Sequence, residues 1–298
     1  MRPSPRRERI PVLVVSGFLG SGKTSLVRHL LDDAARRGIR AAVVSNELGE
    51  LGVDAELLAG RPGDYVEIAG GCVCCKLSDE LVATLAALRE RANPDRILIE
   101  TSGAALPYDT QLHLWRDPVR RFVEDDVAVV VVNAEQLAQG RDTGDTFAQQ
   151  VSSADLLLLN QIDRVPAASL PALEEKLRAF EPEAPILRAA HGRIDPELLF
   201  PPDLEGLRAL RRERGAAPSP HVHEDYVADI VELPADLDES TLLARLRALR
   251  AVRIKGFAQT RAGARLVQGV GTRIELRTPE RPPPPELLGR VVAIRKNA

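Results

Sequence analysis

The sequence predicts an α/β fold: a mostly parallel sheet covered by helices, followed by a small α+β domain. Three observations carry this expectation. Short aliphatic runs alternate with helix-patterned stretches through the first 200 residues, the pattern of strands returned in one direction by crossover helices. Two of those runs, 127–132 and 156–159, are wholly apolar, as strands buried on both faces are. Beyond a Pro- and Arg-rich stretch the texture changes to several strands with a single helix. The expected division is 1–200, a linker at 201–220, and 221–298.

The 298 residues are 44% hydrophobic, enough for a sizeable core. A net charge of −3 gives no electrostatic footprint for nucleic acid or an anionic membrane. The aliphatic runs are far too short to span a bilayer, and the basic, proline-containing first nine residues read as a frayed tail. The expectation is a soluble, cytoplasmic chain without nucleic-acid or membrane partners. All three cysteines, Cys72, Cys74 and Cys75, lie within four residues. That is no disulfide framework; in a cytosolic chain it reads as a metal or redox site.

The elements follow in order. Residues 10–15 form a strand that runs into Gly17-Phe18-Leu19-Gly20-Ser21-Gly22-Lys23-Thr24, and the helix after it opens with Ser25. Strand, glycine-rich loop and helix at this spacing fit G-x-x-x-x-G-K-[ST], the phosphate-binding loop of P-loop NTPases. Glycines let backbone N–H groups turn inward around an anion, and the helix adds its positive end. Lys23 would reach the β- and γ-phosphates, and the Thr24 hydroxyl would ligate Mg²⁺. Arg36, Arg37 and Gly38 end the helix. A strand at 40–45 leads into an acidic loop, 46–54, which contains Glu47 and Glu50 and by itself could be an ordinary solvated connection. A short strand at 65–68 precedes the cysteine loop. A helix at 76–92 presents Leu77, Leu81, Leu85 and Leu88 at helical spacing, as core packing. Strand 96–99 ends in Glu100, followed by Thr101-Ser102-Gly103. A helix is expected at 111–123, a strand at 127–132, a helix at 146–153, a strand at 156–159, a helix at 170–180 and a strand at 185–190. In the second domain, strands are expected at 226–233, 251–258, 265–269, 273–277 and 290–295, with a helix at 240–249.

In an open parallel sheet, ligands bind at the carboxyl ends of the strands. The phosphate loop, the acidic loop, the cysteine loop and Glu100 all fall at such ends, provided that the short strand at 65–68 joins the main sheet. Glu100 ends an apolar strand as a Walker-B acid does and would hold Mg²⁺; Gly103 would present its N–H to the γ-phosphate. Asn160-Gln161-Ile162-Asp163 is similar to the guanine-reading N-K-x-D of GTPases, with Gln161 at the Lys position. The Asp163 carboxylate would accept from guanine N1–H and the 2-amino group, which adenine does not offer. The cysteines precede a helix N-terminus, which favours thiolate and suits Zn²⁺ or a similar ion. A fourth ligand would be Glu47, Glu50 or water. A redox-active vicinal pair and buried inert cysteines are the other readings. His221 and His223 form an H-x-H pair beside the linker, more often solvated than metal-binding.

The set Gly17 to Thr24, Asn46-Glu47-Leu48-Gly49-Glu50, Gly71-Cys72-Val73-Cys74-Cys75 and Glu100 to Gly103 resembles the CobW family of P-loop GTPases. Arg253-Ile254-Lys255-Gly256-Phe257 and Val267-Gln268-Gly269-Val270-Gly271 resemble that family's C-terminal domain, so the likeness covers nearly the whole chain. It implies a SIMIBI-type G domain that binds GTP and Mg²⁺, with Glu in place of the Walker-B Asp. It also implies delivery of zinc or cobalt to a client metalloprotein or a cobalamin-synthesis enzyme, with a homodimer possible. Gln161 stands where the family has Lys, and Asn133 where it usually has Asp. Three functional readings follow: a GTPase whose hydrolysis gates transfer of a cysteine-held metal, a GTP-binding regulatory module with redox or structural cysteines, and a P-loop kinase acting on a small molecule.

Overall fold

A computed structural model describes residues 9–45, 65–67, 77–141, 143–200, 226–279, 282–283, 285 and 287–296. The chain separates into two units, Met1–Pro182 with Ile186–Arg193, and Glu183–Pro185 with Ile194–Ala298.

The first unit is built on a seven-stranded sheet in the order β3-β2-β4-β1-β5-β6-β7. The strands are β1 Ile10–Ser16, β2 Ala41–Ser45, β3 Tyr65–Glu67, β4 Arg96–Glu100, β5 Val123–Asn133, β6 Leu156–Asn160 and β7 Ile186–Arg188. Every pairing in this sheet is parallel. β1 is central, between β4 and β5, and its apolar residues Ile10, Leu13, Val14 and Val15 are fully buried. A strand covered on both faces needs apolar side chains at consecutive positions, which is why these runs do not alternate.

Helix α1, Lys23–Arg36, buries Leu26, Val27, Leu30 and Ala34. It ends as expected: Asp33 pairs with Arg36 and Arg37, and Gly38 follows at φ 67°. Helix α2, Leu77–Arg91, buries Leu81, Leu85 and Leu88 in a cluster with Ile10, Val12, Ile97 and Ile99. Helices α3 Pro107–Leu114, α4 Ala134–Ala138, α5 Asp145–Ser152 and α6 Leu170–Arg178 are the other α-helices of this unit among the described residues.

Two expectations change. The helix expected at 111–123 is α3, which starts earlier, with Pro107 in its first turn, and stops before Pro118. Proline favours a helix start and cannot continue a helix interior. β5 then begins at Val123, four residues ahead of the apolar run. Its polar opening is held because buried Asp126 accepts from Gln111 and Trp115 of the α3 segment.

β3 belongs to the main sheet. It pairs in parallel with β2, Val43 opposite Tyr65 and Ser45 opposite Glu67. Ser45 is in turn opposite Glu100 on β4. One row across three neighbouring strands therefore ends at Glu67, Ser45 and Glu100 on the carboxyl edge.

The second unit contains the short helix α7, Pro196–Leu199, and a five-stranded antiparallel sheet in the order β11-β10-β9-β12-β8. These strands are β8 Tyr226–Glu232, β9 Arg253–Thr260, β10 Gly263–Val270, β11 Arg273–Arg277 and β12 Arg290–Lys296. Helix α8, Glu239–Ala248, packs Leu242 and Leu246 against Ile254, Ala258, Val267, Val291 and Ala293. Among the described residues no helix is long and apolar enough to cross a membrane.

Candidate functional site

β1 delivers the chain to Gly17 at the carboxyl edge of the sheet, and the loop 17–22 turns there into α1. Gly17 has φ 134°, and a Cβ at this position would lie 2.2 Å from the Val131 carbonyl oxygen. Gly22 caps α1 at φ 99°, and a Cβ there would meet Asn160 Nδ2 at 2.2 Å. Only glycine satisfies both the left-handed conformation and the close approach. Ser21 N donates to the Phe18 carbonyl, closing the turn. Ser21 Oγ is buried inside the loop with no hydrogen-bond partner among the described residues. A buried hydroxyl left in this way fits a loop shaped for an anionic ligand's oxygens.

Lys23 is buried and donates Nζ to the Phe18 carbonyl at 3.4 Å. Thr24 Oγ1 donates to Glu100 Oε1 at 2.7 Å, joining the first turn of α1 to the end of β4. These two oxygens are hard donors of the kind Mg²⁺ takes, so the residues fit that ion. Ser25 is exposed on the same turn. The loop after Glu100 is tied down at Thr101, whose N–H donates to the Val15 carbonyl. Gly103 packs on Leu19 of the phosphate loop so closely that a Cβ would come within 2.7 Å of Leu19 Cγ.

The phosphate loop is gripped from the other side by side-chain amides. Asn160 Nδ2, at the end of β6, donates to the Ser21 carbonyl at 2.9 Å, and its Oδ1 accepts from Gly192 N. Gln161, at φ 60°, donates Nε2 to the Gly20 carbonyl at 3.0 Å. Asn133, at the end of β5 and in register with Asn160, donates Nδ2 to the same Gly20 carbonyl and to Gln161 Oε1, each at 3.1 Å. Its Oδ1 meanwhile caps α4 by accepting from Glu135 N and Gln136 N. Asp163 lies exposed in the turn after β6, with His191 Nε2 3.7 Å away.

The structure thus brings Thr24 to Glu100, Gly103 to the phosphate loop and Asn160 to Ser21, all at one edge. Cys72, Cys74, Cys75, Glu47, Glu50, His221 and His223 lie outside the described residues. Sequence reasoning passed over Asn133 as a contact, His191 with Gly192, and Gln150, whose bonds to the 101–105 loop are described below. For Asn133 a signal existed: like Asn160, it is an asparagine that directly ends an apolar run.

The family described as CobW/HypB/UreG, nucleotide-binding domain, matches residues 11–188. The zinc chaperone CobW of a Sinorhizobium species is 31% identical over 310 residues, covering 90% of this chain and 87% of its own. The zinc chaperone YjiA of Escherichia coli K12 is 34% identical over 240 residues, covering 77% and 72%. The crystal structure of Zn(II)-bound YjiA GTPase from E. coli superposes with a TM-score of 0.49 at 24% identity, covering 97% of this chain and 94% of that one.

Proposed function

This chain belongs to the CobW/HypB/UreG family, and from that premise we propose that its GTPase cycle gates the carriage of a transition metal, zinc or cobalt, for delivery to a client metalloprotein. Hydrolysis of GTP is the enzymatic activity. In this reading the loop N–H groups, Ser21, Lys23 and Ser25 hold the phosphates, and Asn160 and Asp163 meet the guanine side. Thr24 and Glu100 would hold Mg²⁺, which when bound would neutralise charge on the β- and γ-phosphate oxygens. Gly103 N–H would report the γ-phosphate. The cargo ion would sit on Cys72, Cys74 and Cys75, with Glu47 or Glu50 completing its shell. The zinc chaperones among the relatives support the cargo. A place in the cytoplasm and a link to cobalamin synthesis belong to the same proposal.

One observation carries the coupling between the two sites: β3 is parallel to β2 in the main sheet, with Glu67, Ser45 and Glu100 in one row. The chain leaves Ser45 towards Glu47, two residues on, and leaves Glu67 towards Cys72, five residues on. At up to about 3.6 Å per residue, both segments start within short reach of the Thr24–Glu100 pair.

The test is metal stoichiometry and GTP turnover of the purified, reduced protein. The expected result is about one Zn²⁺ or Co²⁺ per chain, lost when the three cysteines become Ser, with slow hydrolysis on the order of 10⁻² s⁻¹ or less. Lys23→Ala should abolish turnover. A metal-free protein with intact GTPase activity would instead support a regulatory module.

A further inference from the structure

Gln150 lies on α5, fully buried. Its Nε2 donates to the Gly103 carbonyl at 3.0 Å and to the Ala105 carbonyl at 3.0 Å. A side-chain amide nitrogen has two hydrogens, and both are engaged by the one short loop after Glu100. Because both partners are acceptors, the orientation is fixed; turned over, Oε1 would face two carbonyl oxygens. Oε1 is buried and has no donor among the described residues. Gln150 lines a small cavity with Phe18, Leu137 and Phe147 and with the polar Asn133, Gln136 and Arg141. A buried acceptor left unpaired costs stability. Packing alone would favour a hydrophobic side chain at this position, so the amide answers to its two bonds.

Those bonds act where the nucleotide cycle needs a defined loop. Ala105 N donates to the Ser102 carbonyl, and Ser16 Oγ also reaches the Ala105 carbonyl, so the loop is a closed turn. Within it, Gly103 rests on Leu19 of the phosphate loop. We propose that Gln150 is a positioning residue: by pinning the carbonyls of Gly103 and Ala105, it fixes the loop geometry in which Gly103 N–H meets a γ-phosphate. The inference rests on the GTPase reading. Gln150 touches no phosphate itself, so its loss should separate GTP from GDP, which has no γ-phosphate to report.

The experiment uses the full chain with Gln150→Met, which keeps the volume and removes both bonds, and Gln150→Glu. Affinity is measured for a non-hydrolysable GTP analogue and for GDP, with kcat, KM and Tm. For Gln150→Met, analogue affinity and kcat should fall about tenfold or more, as loss of two neutral hydrogen bonds allows. GDP affinity should change less than about twofold, and Tm should change little, because loss of the unpaired Oε1 offsets the donor withdrawn from the buried Gly103 carbonyl. For Gln150→Glu, a carboxylate would oppose two carbonyls, and protonation would restore one donor. Its kcat relative to wild type should therefore rise as pH falls from 8 to 6. Parallel losses for analogue and GDP, a fall in Tm without a nucleotide effect, or failure of the Met variant to fold would overturn the inference and leave Gln150 a packing residue. A wild-type chain that neither binds nor hydrolyses GTP would overturn the GTPase reading, and this inference with it.

Discussion

Asn133 and Gln161, the two positions at which the sequence departs from the resemblance, are bonded to each other and to the Gly20 carbonyl. A neutral amide pair therefore holds the phosphate loop at Gly20. Asn133→Asp by itself would put a carboxylate against the oxygens of Gly20 and Gln161, with no hydrogen to donate to either. It should weaken GTP and GDP binding alike, and adding Gln161→Lys should recover most of the loss. A double-mutant cycle on nucleotide affinity measures this, with a coupling of about 1 kcal/mol or more expected; additive losses would dissolve the pair. Asp163 sets the base. With adenine its carboxylate finds no donor, and leaving a site's polar group unpaired is strongly discriminated. GTP should bind well above ATP, and Asp163→Asn should shift preference towards xanthine nucleotides; equal GTP and ATP affinity in wild type would remove Asp163 from the base site. The glycines, Lys23, Thr24 and Glu100 were legible because the phosphate loop is contiguous and its acid ends an apolar strand. Asn133 carried a signal, as an asparagine that directly ends an apolar run; Gln150 carried none. Its partners are backbone carbonyls 47 and 45 residues away, and a carbonyl leaves no mark on residue type.

Elements show the same division. Wholly apolar strands were readable, whereas β5 runs from Val123 although Glu124, Asp125 and Asp126 look like loop. Buried Asp126 is tolerable there because it is hydrogen-bonded, by Gln111 and Trp115 among others, and those two bonds require α3 to be in place. In the second unit a helix is expected at 240–249, and the start of α8 is fixed by Asp238. That carboxylate accepts from the Ser240 hydroxyl, Thr241 N–H and the Thr241 hydroxyl. These hydrogen bonds, Ser240's first, hold its pKa well below the usual carboxylate range. A carboxylate depressed on folding contributes stability above its unfolded pKa of about 3.9, and the contribution fades as the pH falls below that. Asp238→Ala should therefore lower Tm at pH 6–7, and the gap to wild type should narrow towards pH 2. Asp238→Asn keeps the cap without the charge and should show a smaller deficit. Melting curves from pH 2 to 7 decide it; a gap that does not change with pH would mean that the cap works without ionisation.

At the scale of the molecule, the parallel sheet turns a set of strand ends into one edge. In sequence, the phosphate loop follows β1, the acidic segment follows β2 and the cysteine segment follows β3, while Glu100 ends β4. If Mg²⁺–GTP orders the segment that carries Glu47 and Glu50 through its γ-phosphate, and either carboxylate serves the cargo ion, then loop ordering must alter metal affinity. Linkage makes the effect reciprocal, so metal must alter GTP affinity by the same factor. A coupling of about 1–3 kcal/mol is roughly 5–150-fold in affinity. The direct measurement is a competition titration of Zn²⁺ or Co²⁺ against a chelator, with the reduced protein held in its GTP-analogue state and in its GDP state. Metal affinities that differ by about fivefold or more, with binding and difference both lost when the three cysteines become Ser, are expected of GTP-gated carriage; identical affinities in the two nucleotide states would contradict it.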